Sequence, residues 1–288
     1  GRGGWWCGAR FGPRCAGRGD RRLRVDVVQG VDRLETAHGP LFVVVGVFDG
    51  LHRGHAYLLR RLVAEARRRH ARPAVITFDH HPDEVLTGSA PPLLIDPEER
   101  VVRLARAGVA VTVVQHFDAA LRATPYDDFV GMITAGAELA GFLMTPDAAF
   151  GFERRGTPVA LAALGRVGPD RFEVVVVPPL YVEGAIVRSS DIRSAIAVGD
   201  LDRARRLLGR RHAVVADVRE LGVLRAAMPV ALPPEGQYAA RIGRPLDGHG
   251  AVGRLTVVDV RDGAVRVPSG RTRRDRARVA FVGSAVGG

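Results

Sequence analysis

Gly46-Val47-Phe48-Asp49-Gly50-Leu51-His52-Arg53-Gly54-His55 stands between an apolar run at residues 42–47 and an amphipathic stretch at residues 55–70. The run is strand-sized. In the stretch after it, Tyr57, Leu58, Leu59, Leu62, Val63 and Ala66 fall on one side of a 3.6-residue period, which predicts a helix. The ten residues therefore read as the turn from a buried strand into a helix. In an open α/β sheet such turns gather at the carboxyl ends of the strands, where ligands bind. A helix start offers unpaired N–H groups and a partial positive charge, both favourable to a phosphate. Gly54 lets the backbone approach an anion closely, and His52 and His55 can add side-chain donors. Two histidines three apart can also ligate a metal or be ordinary surface residues. No third histidine or cysteine completes a convincing site, although His80 and His81 follow, so no metal ligand is assigned.

Outward from this turn, short β-branched runs alternate with amphipathic stretches over residues 23–211. Strands are predicted at 73–78, 109–114 and 172–177. Helices are predicted at 97–107, with Asp96 as N-cap and Gly108 as stop, and at 127–140, 191–197 and 201–208. The alternation implies an α/β, Rossmann-like parallel sheet covered on both faces. From residue 212 to 288 helical periodicity disappears. Asp262-Gly263, a hairpin signal, separates 255–260 from 264–267, and 278–282 reads as another strand. This end is expected to be a small β-barrel-like domain.

All 42 basic residues are arginine, and they give a net charge of +11. They are dispersed, many beside acids on helical faces, so they read as solvated faces with a minority available to anions. Aromatic residues make up only 6% and do not interleave with the basic runs, which argues against nucleic-acid binding. No apolar run approaches the roughly 20 residues of a membrane span. Residues 1–22 are rich in Gly and Arg, carry Trp5 and Trp6, and lack the apolar segment of a secretory signal. They are expected to be a disordered tail. The two cysteines, Cys7 and Cys15, both lie there, and a body without cysteine suits a reducing cytoplasm. Oligomeric state is not legible.

The decisive segment resembles the Gly-x-Phe-Asp-Gly-x-His-x-Gly-His signature of bacterial FAD synthetases. That family joins an FMN adenylyltransferase of the HxGH nucleotidylyltransferase type to a riboflavin kinase. Further similarities follow in order. Thr77-Phe78-Asp79-His80-His81-Pro82 resembles Thr-Phe-x-Pro-His-Pro, with His80 in place of the first proline. Phe117-Asp118 with Phe129, and Thr145-Pro146-Asp147-Ala148-Ala149-Phe150-Gly151, resemble later motifs, the second with Ala148 in place of a phenylalanine. Ser189-Ser190-Asp191-Ile192-Arg193 resembles Ser-Thr-x-Ile-Arg, with Arg188 where a serine is usual. Gly199-Asp200 and Leu207-Leu208-Gly209-Arg210 close the set.

The resemblance implies adenylyl transfer from ATP to FMN, giving FAD and pyrophosphate, with Mg²⁺ held mainly through phosphates and water. It implies His52, His55 and Arg193 as catalytic residues holding ATP phosphates. Gly46, Phe48, Asp49, Gly54, Ser189 and Ser190 would bind ATP. His81, Pro82, Leu86, Asp147 and Phe150 would line the flavin side, although Phe150 reads equally well as a core aromatic. Leu86 and Ala148 offer little surface for stacking a flavin ring.

A kinase half would carry Gly-x-Pro-Thr-Ala-Asn after His212, and that string is missing. Leu232-Pro233-Pro234-Glu235-Gly236-Gln237-Tyr238 does resemble the Pro-x-x-Gly-x-Tyr entry to a kinase strand. The expectation is a shortened, degenerate kinase-like domain without riboflavin kinase activity. Three other readings stay open: transfer to another phosphorylated acceptor, a catalytically reduced paralogue that binds flavin, nucleotide or a partner protein as a regulator, and a basic nucleic-acid binder.

Overall fold

The computed structural model describes residues 25–167, 171–220, 222–245, 253–268 and 275–284; the N-terminal stretch expected to be a tail lies outside them. The order is β1 (Asp26–Gln29), β2 (Leu41–Val45), α1 (Arg53–Arg68), β3 (Arg72–Phe78), α2 (Pro82–Thr87), α3 (Pro97–Arg106), β4 (Val111–Gln115), α4 (Ala119–Ala123), α5 (Tyr126–Thr134), β5 (Leu139–Met144), α6 (Pro158–Val167) and β6 (Glu173–Val176). A short hairpin of β7 (Tyr181–Val182) and β8 (Ala185–Ile186) leads to α7 (Ser189–Ala197) and α8 (Leu201–Leu208).

The six large strands form one parallel sheet in the order β1-β4-β3-β2-β5-β6. Alternate residues of β2 enter different cores: Leu41 and Val43 pack with β4 and α5, whereas Phe42 and Val44 pack with α1 and α3. The sheet is thus covered on both faces, as the alternation predicted. Strand order runs from β2 through β3 to β4 on one side and from β5 to β6 on the other. The switch point lies between β2 and β5, and a crevice opens there at the carboxyl ends.

One expectation is corrected. Residues 127–140 do not form one helix: α5 ends at Thr134, and Leu139–Met144 is the interior strand β5. Its run is apolar on both faces because helices cover both sides of the sheet, and such a run has no period-2 signature. The helix α6 was also not expected. In contrast, Asp96 caps α3 with 3.0 and 3.1 Å bonds from Glu98 and Glu99 N–H groups.

The C-terminal strands are β9 (Ala213–Glu220), β10 (Val223–Arg225), β11 (Gly236–Gly243), β12 (Arg254–Arg261), β13 (Ala264–Arg266) and β14 (Arg276–Ser284). They close into a barrel, β10-β13-β12-β11-β14-β9, around Val214, Ala240, Val258, Val279 and Phe281. Asp262 and Gly263 have φ of 52° and 66°, the two positive values that a tight hairpin turn requires. The barrel is tied to the sheet domain. Arg276 pairs with Asp96 at 2.9 Å and Glu98 at 2.7 Å, and Arg278 with Glu99 at 2.9 Å, all at the start of α3. Leu93 exchanges backbone hydrogen bonds with Pro229 and Ala231. No helix among the described residues is long and apolar enough to cross a membrane.

Candidate active site

The turn after β2 bends through unusual backbone: Phe48, Gly50 and Leu51 have φ of 53°, 76° and 40°. Non-glycine residues pay for that region with strain, which concentrates at functional sites. Side chains from distant elements hold the turn by its carbonyls. Thr77 Oγ1 and Arg100 Nη1 each donate to the Val47 carbonyl at 3.0 Å. Arg100 Nη2 donates to Phe78 O at 2.7 Å, joining the ends of β2 and β3. Ser189 Oγ donates to Asp49 O at 3.1 Å. Arg210 donates to Gly50 O at 2.7 Å and Leu51 O at 3.3 Å. Burial, with Arg103 nearby, pulls the Arg210 pKa down to about 9, so it stays charged at neutral pH.

Asp49 is 2% exposed, and its carboxylate is fully engaged. It accepts Leu94 N–H at 2.9 Å and Arg193 Nη2 at 2.6 Å. Arg193 Nε also donates to Pro92 O at 2.9 Å. The expected ATP residue Asp49 and the expected phosphate ligand Arg193 are therefore partners of each other, 144 residues apart.

His52 is the N-cap of α1. Its Nδ1 accepts the His55 backbone N–H at 3.3 Å, so the neutral ring carries its proton on Nε2. The two imidazoles stack with centroids 3.6 Å apart, and Phe48 tilts against His55 at 5.0 Å. A side chain at Gly54 would place its Cβ 3.1 Å from the His52 ring, so glycine here makes room for the imidazole. Burial, then the Arg210 charge, pushes His52 down to about 4. Burial, His52 and Arg210 push His55 well below its ordinary value. Both rings are neutral at pH 7. His55 Nδ1 is a buried polar atom with no hydrogen-bond partner, the kind of atom that calls for an explanation.

His55 forms part of the wall of a cleft of about 860 Å³ at the ends of β2, β3 and β5, within the size range of small-molecule sites. Gly46, Pro82, Asp147 and Phe150 also line it. Asp147 accepts the Thr145 hydroxyl at 2.8 Å. Phe150 is both wall and core, with ring contacts to Phe129 at 5.5 Å and Phe142 at 5.6 Å. His81 caps α2 by accepting the Asp83 N–H at 3.2 Å. Ser190 is exposed in the first turn of α7. Leu86 lies in α2, and its side chain lies outside the described residues.

Sequence reasoning gave no role to Arg100 or Arg210. Arg210 had a signal in the Leu-Leu-Gly-Arg similarity. Arg100 had none, being one arginine among many on a helix.

The FAD synthetase family model matches residues 34–191. The bifunctional riboflavin kinase/FMN adenylyltransferase of Escherichia coli (strain K12) is 28% identical over 253 residues, 82% of this chain and 80% of that protein. The protein of the same description from Pseudomonas fluorescens is 28% identical over 196 residues, 67% of this chain and 62% of that protein. Among solved structures, a macrolide-efflux protein from Streptococcus pneumoniae has a TM-score of 0.72 at 20% identity. The likeness covers 91% of this chain and 92% of that one, and is one of fold.

Proposed function

The chain belongs to the FAD synthetase family, and from that premise we propose that it transfers the adenylyl group of ATP to FMN. One observation carries the reading: the neutral, stacked His52–His55 pair at the start of α1, with His55 on the cleft wall. A phosphate oxygen of FMN attacks the α-phosphorus of ATP, the bond from that phosphorus to the bridging oxygen breaks, and pyrophosphate leaves. FMN phosphate is ionised at neutral pH, so no general base is needed. The protein's task is to align two anions and to stabilise charge that develops between them.

On this reading His55 donates to a phosphate oxygen without carrying a charge of its own, and His52 orients it by stacking and capping. The α1 N-terminus adds backbone N–H groups. Arg193, fixed by Asp49, supplies positive charge for the leaving pyrophosphate, with Ser189 and Ser190 beside it on α7. Gly46, Phe48 and Gly54 shape the turn under ATP. His81, Pro82, Asp147, Phe150 and Leu86 would form the flavin side.

The residues present fit Mg²⁺ arriving with the nucleotide. Asp49 is committed to Leu94 and Arg193, whereas Asp147 lines the cleft and could offer a carboxylate oxygen to an ion carried in on the phosphates. When bound, the ion would lower the charge on the departing phosphates.

Riboflavin kinase activity is proposed to be lost, because Gly-x-Pro-Thr-Ala-Asn is missing from residues 212–288. The barrel then serves as a brace on α3 through Arg276 and Arg278. The test is the purified protein with ATP, Mg²⁺ and either FMN or riboflavin, followed by chromatographic separation of the flavins. FAD from FMN, and no FMN from riboflavin, is the expected result. Binding without turnover would mark a reduced, regulatory relative. FMN formed from riboflavin would overturn the kinase part alone.

A further inference from the structure

Next to the cleft-lining residues Phe78 and Phe117, three potential ligands converge from two loops. Asp79 and His80 follow β3, and His116 follows β4. Their ligand atoms all lie within 4.8 Å of one another. His116 Nδ1 is 2.7 Å from one Asp79 carboxylate oxygen, and His80 Nδ1 is 3.0 Å from the other. The two imidazoles stand edge to face, centroids 5.5 Å apart.

The scaffold holds this cluster firmly. Asp79 Oδ1 accepts the backbone N–H groups of His80 at 2.7 Å and Phe117 at 3.1 Å, which orients the carboxylate from both loops. Phe78 and Phe117, the neighbours of Asp79 and His116 in sequence, pack edge to face at 5.2 Å and fix the distance between the loops. His80 Nδ1 is buried, and despite its nearness to Asp79 it has no hydrogen bond of good geometry. A buried ring nitrogen left without a hydrogen bond 3.0 Å from a carboxylate oxygen calls for a partner.

We propose that Asp79, His80 and His116 form a binding site for a borderline divalent transition cation of the Zn²⁺ class. Two imidazoles and one carboxylate are the ligand set that such ions take, with a remaining position for water or a substrate oxygen. Ligand atoms around a tetrahedral ion at about 2.0–2.1 Å lie about 3.3 Å apart, so each imidazole would withdraw a few tenths of an ångström from Asp79 and the ion would replace the 2.7 Å His116–Asp79 hydrogen bond. Mg²⁺ is disfavoured, because it prefers six oxygen ligands and keeps its water. Solvent reaches the site through the exposed His116 ring. A bound ion would clamp the β3–α2 and β4–α4 loops together beside the cleft. The inference is independent of the adenylyl-transfer reading.

The experiment is titration of the full-length, chelator-treated protein with Co²⁺, followed by visible absorption, with Mg²⁺ as the comparison. One equivalent of Co²⁺ should produce the intense visible bands of a four-coordinate site, Zn²⁺ should abolish them, and Mg²⁺ should not. Loss of an outer partner of a metal site typically weakens binding 10–100-fold, so loss of a ligand in His80→Ala or His116→Ala should weaken it by more than about a hundredfold. Circular dichroism should stay unchanged in both variants. Zn²⁺ should also raise the melting temperature of the wild type but not of His116→Ala. Absent bands at stoichiometric Co²⁺ would overturn the proposal and leave the cluster as an ion pair. Bands retained in both variants would equally overturn it, since other ligands, such as Cys7 and Cys15, would then be responsible.

Discussion

His52 Nδ1 accepts the backbone N–H of His55 at 3.3 Å while the two rings stack at 3.6 Å, so one imidazole caps the helix and packs against the other. The pair divides cleanly into a cleft-facing ring and a ring behind it, and the two substitutions should behave differently.

His55→Ala should lower the turnover of FAD formation about a hundredfold, the scale of one preorganised donor to developing charge. Its denaturation midpoint should barely move. His52→Ala should lose both turnover and about 1 kcal/mol of helix-cap stability. His52→Asn should restore the cap but not the turnover. Turnover and chemical denaturation on the same preparations check this. A His55→Ala protein that keeps full turnover per folded molecule would make the residue structural.

Arg210→Met should destabilise the turn without touching substrate. It removes two charged hydrogen bonds to Gly50 and Leu51 carbonyls, each worth about 1.5–3 kcal/mol. Stability should fall by about 2–4 kcal/mol, and FMN turnover should fall with it as the turn loosens. Denaturant unfolding and turnover below the new melting temperature measure the two effects separately.

Stability should drop as pH falls from about 6.5 to 4. His52 and His212 are buried and each has its pKa pushed down to about 4, by burial first. His212 Nε2 donates to Ala231 O at 2.7 Å. Between the folded and unfolded pKa values the unfolded chain binds more protons, so stability rises with pH across that window and is complete above it. Each group contributes about 3 kcal/mol, lost progressively toward pH 4. Denaturant midpoints at pH 7.5, 6, 5 and 4 should therefore fall steadily, and His212→Gln should flatten part of the slope.

The contact between barrel and sheet should depend more on Arg278 than on Arg276. Arg278 is 12% exposed beside a Glu99 side chain that is 3% exposed, whereas Arg276 is 35% exposed. Removing one partner of a buried pair costs several kcal/mol. Glu99 retains Arg103 at 2.8 Å, which should limit the loss in Arg278→Met to about 1–3 kcal/mol. Arg276→Met should cost about 1 kcal/mol or less and lose its effect in high salt. Equal losses for the two variants in thermal melts would mean that burial does not govern this contact.

Features set by neighbours in the chain were legible from the start. Residues 201–208 end where Gly209 enters the left-handed region with φ of 73°, and they coincide with α8. Asp96 caps α3, and Asp262-Gly263 turns the hairpin. The strand–turn–helix reading of Gly46 to His55 needed only an apolar run, a helical period and the chemistry of a helix start. The failures are of another kind. The helix expected at 127–140 overruns into the first two residues of β5, and the rest of that strand has no sequence signal, because an interior parallel strand shows no alternation; only its pairing with β2 and β6 identifies it.

The α/β class, the position of the turn and its two histidines are legible in the chain alone, because local sterics and hydrophobic periodicity act over a few residues. Tertiary structure alone decided that Asp49 meets Arg193, that Arg100 joins the ends of β2 and β3, and that Arg210 holds Gly50 and Leu51. It alone brought His116 to Asp79. Buried charges and carbonyls must find partners or lose their hydration without return. Which partner each finds depends on where strand order and helix packing deliver residues far apart in the chain, and no short-range pattern encodes that distance.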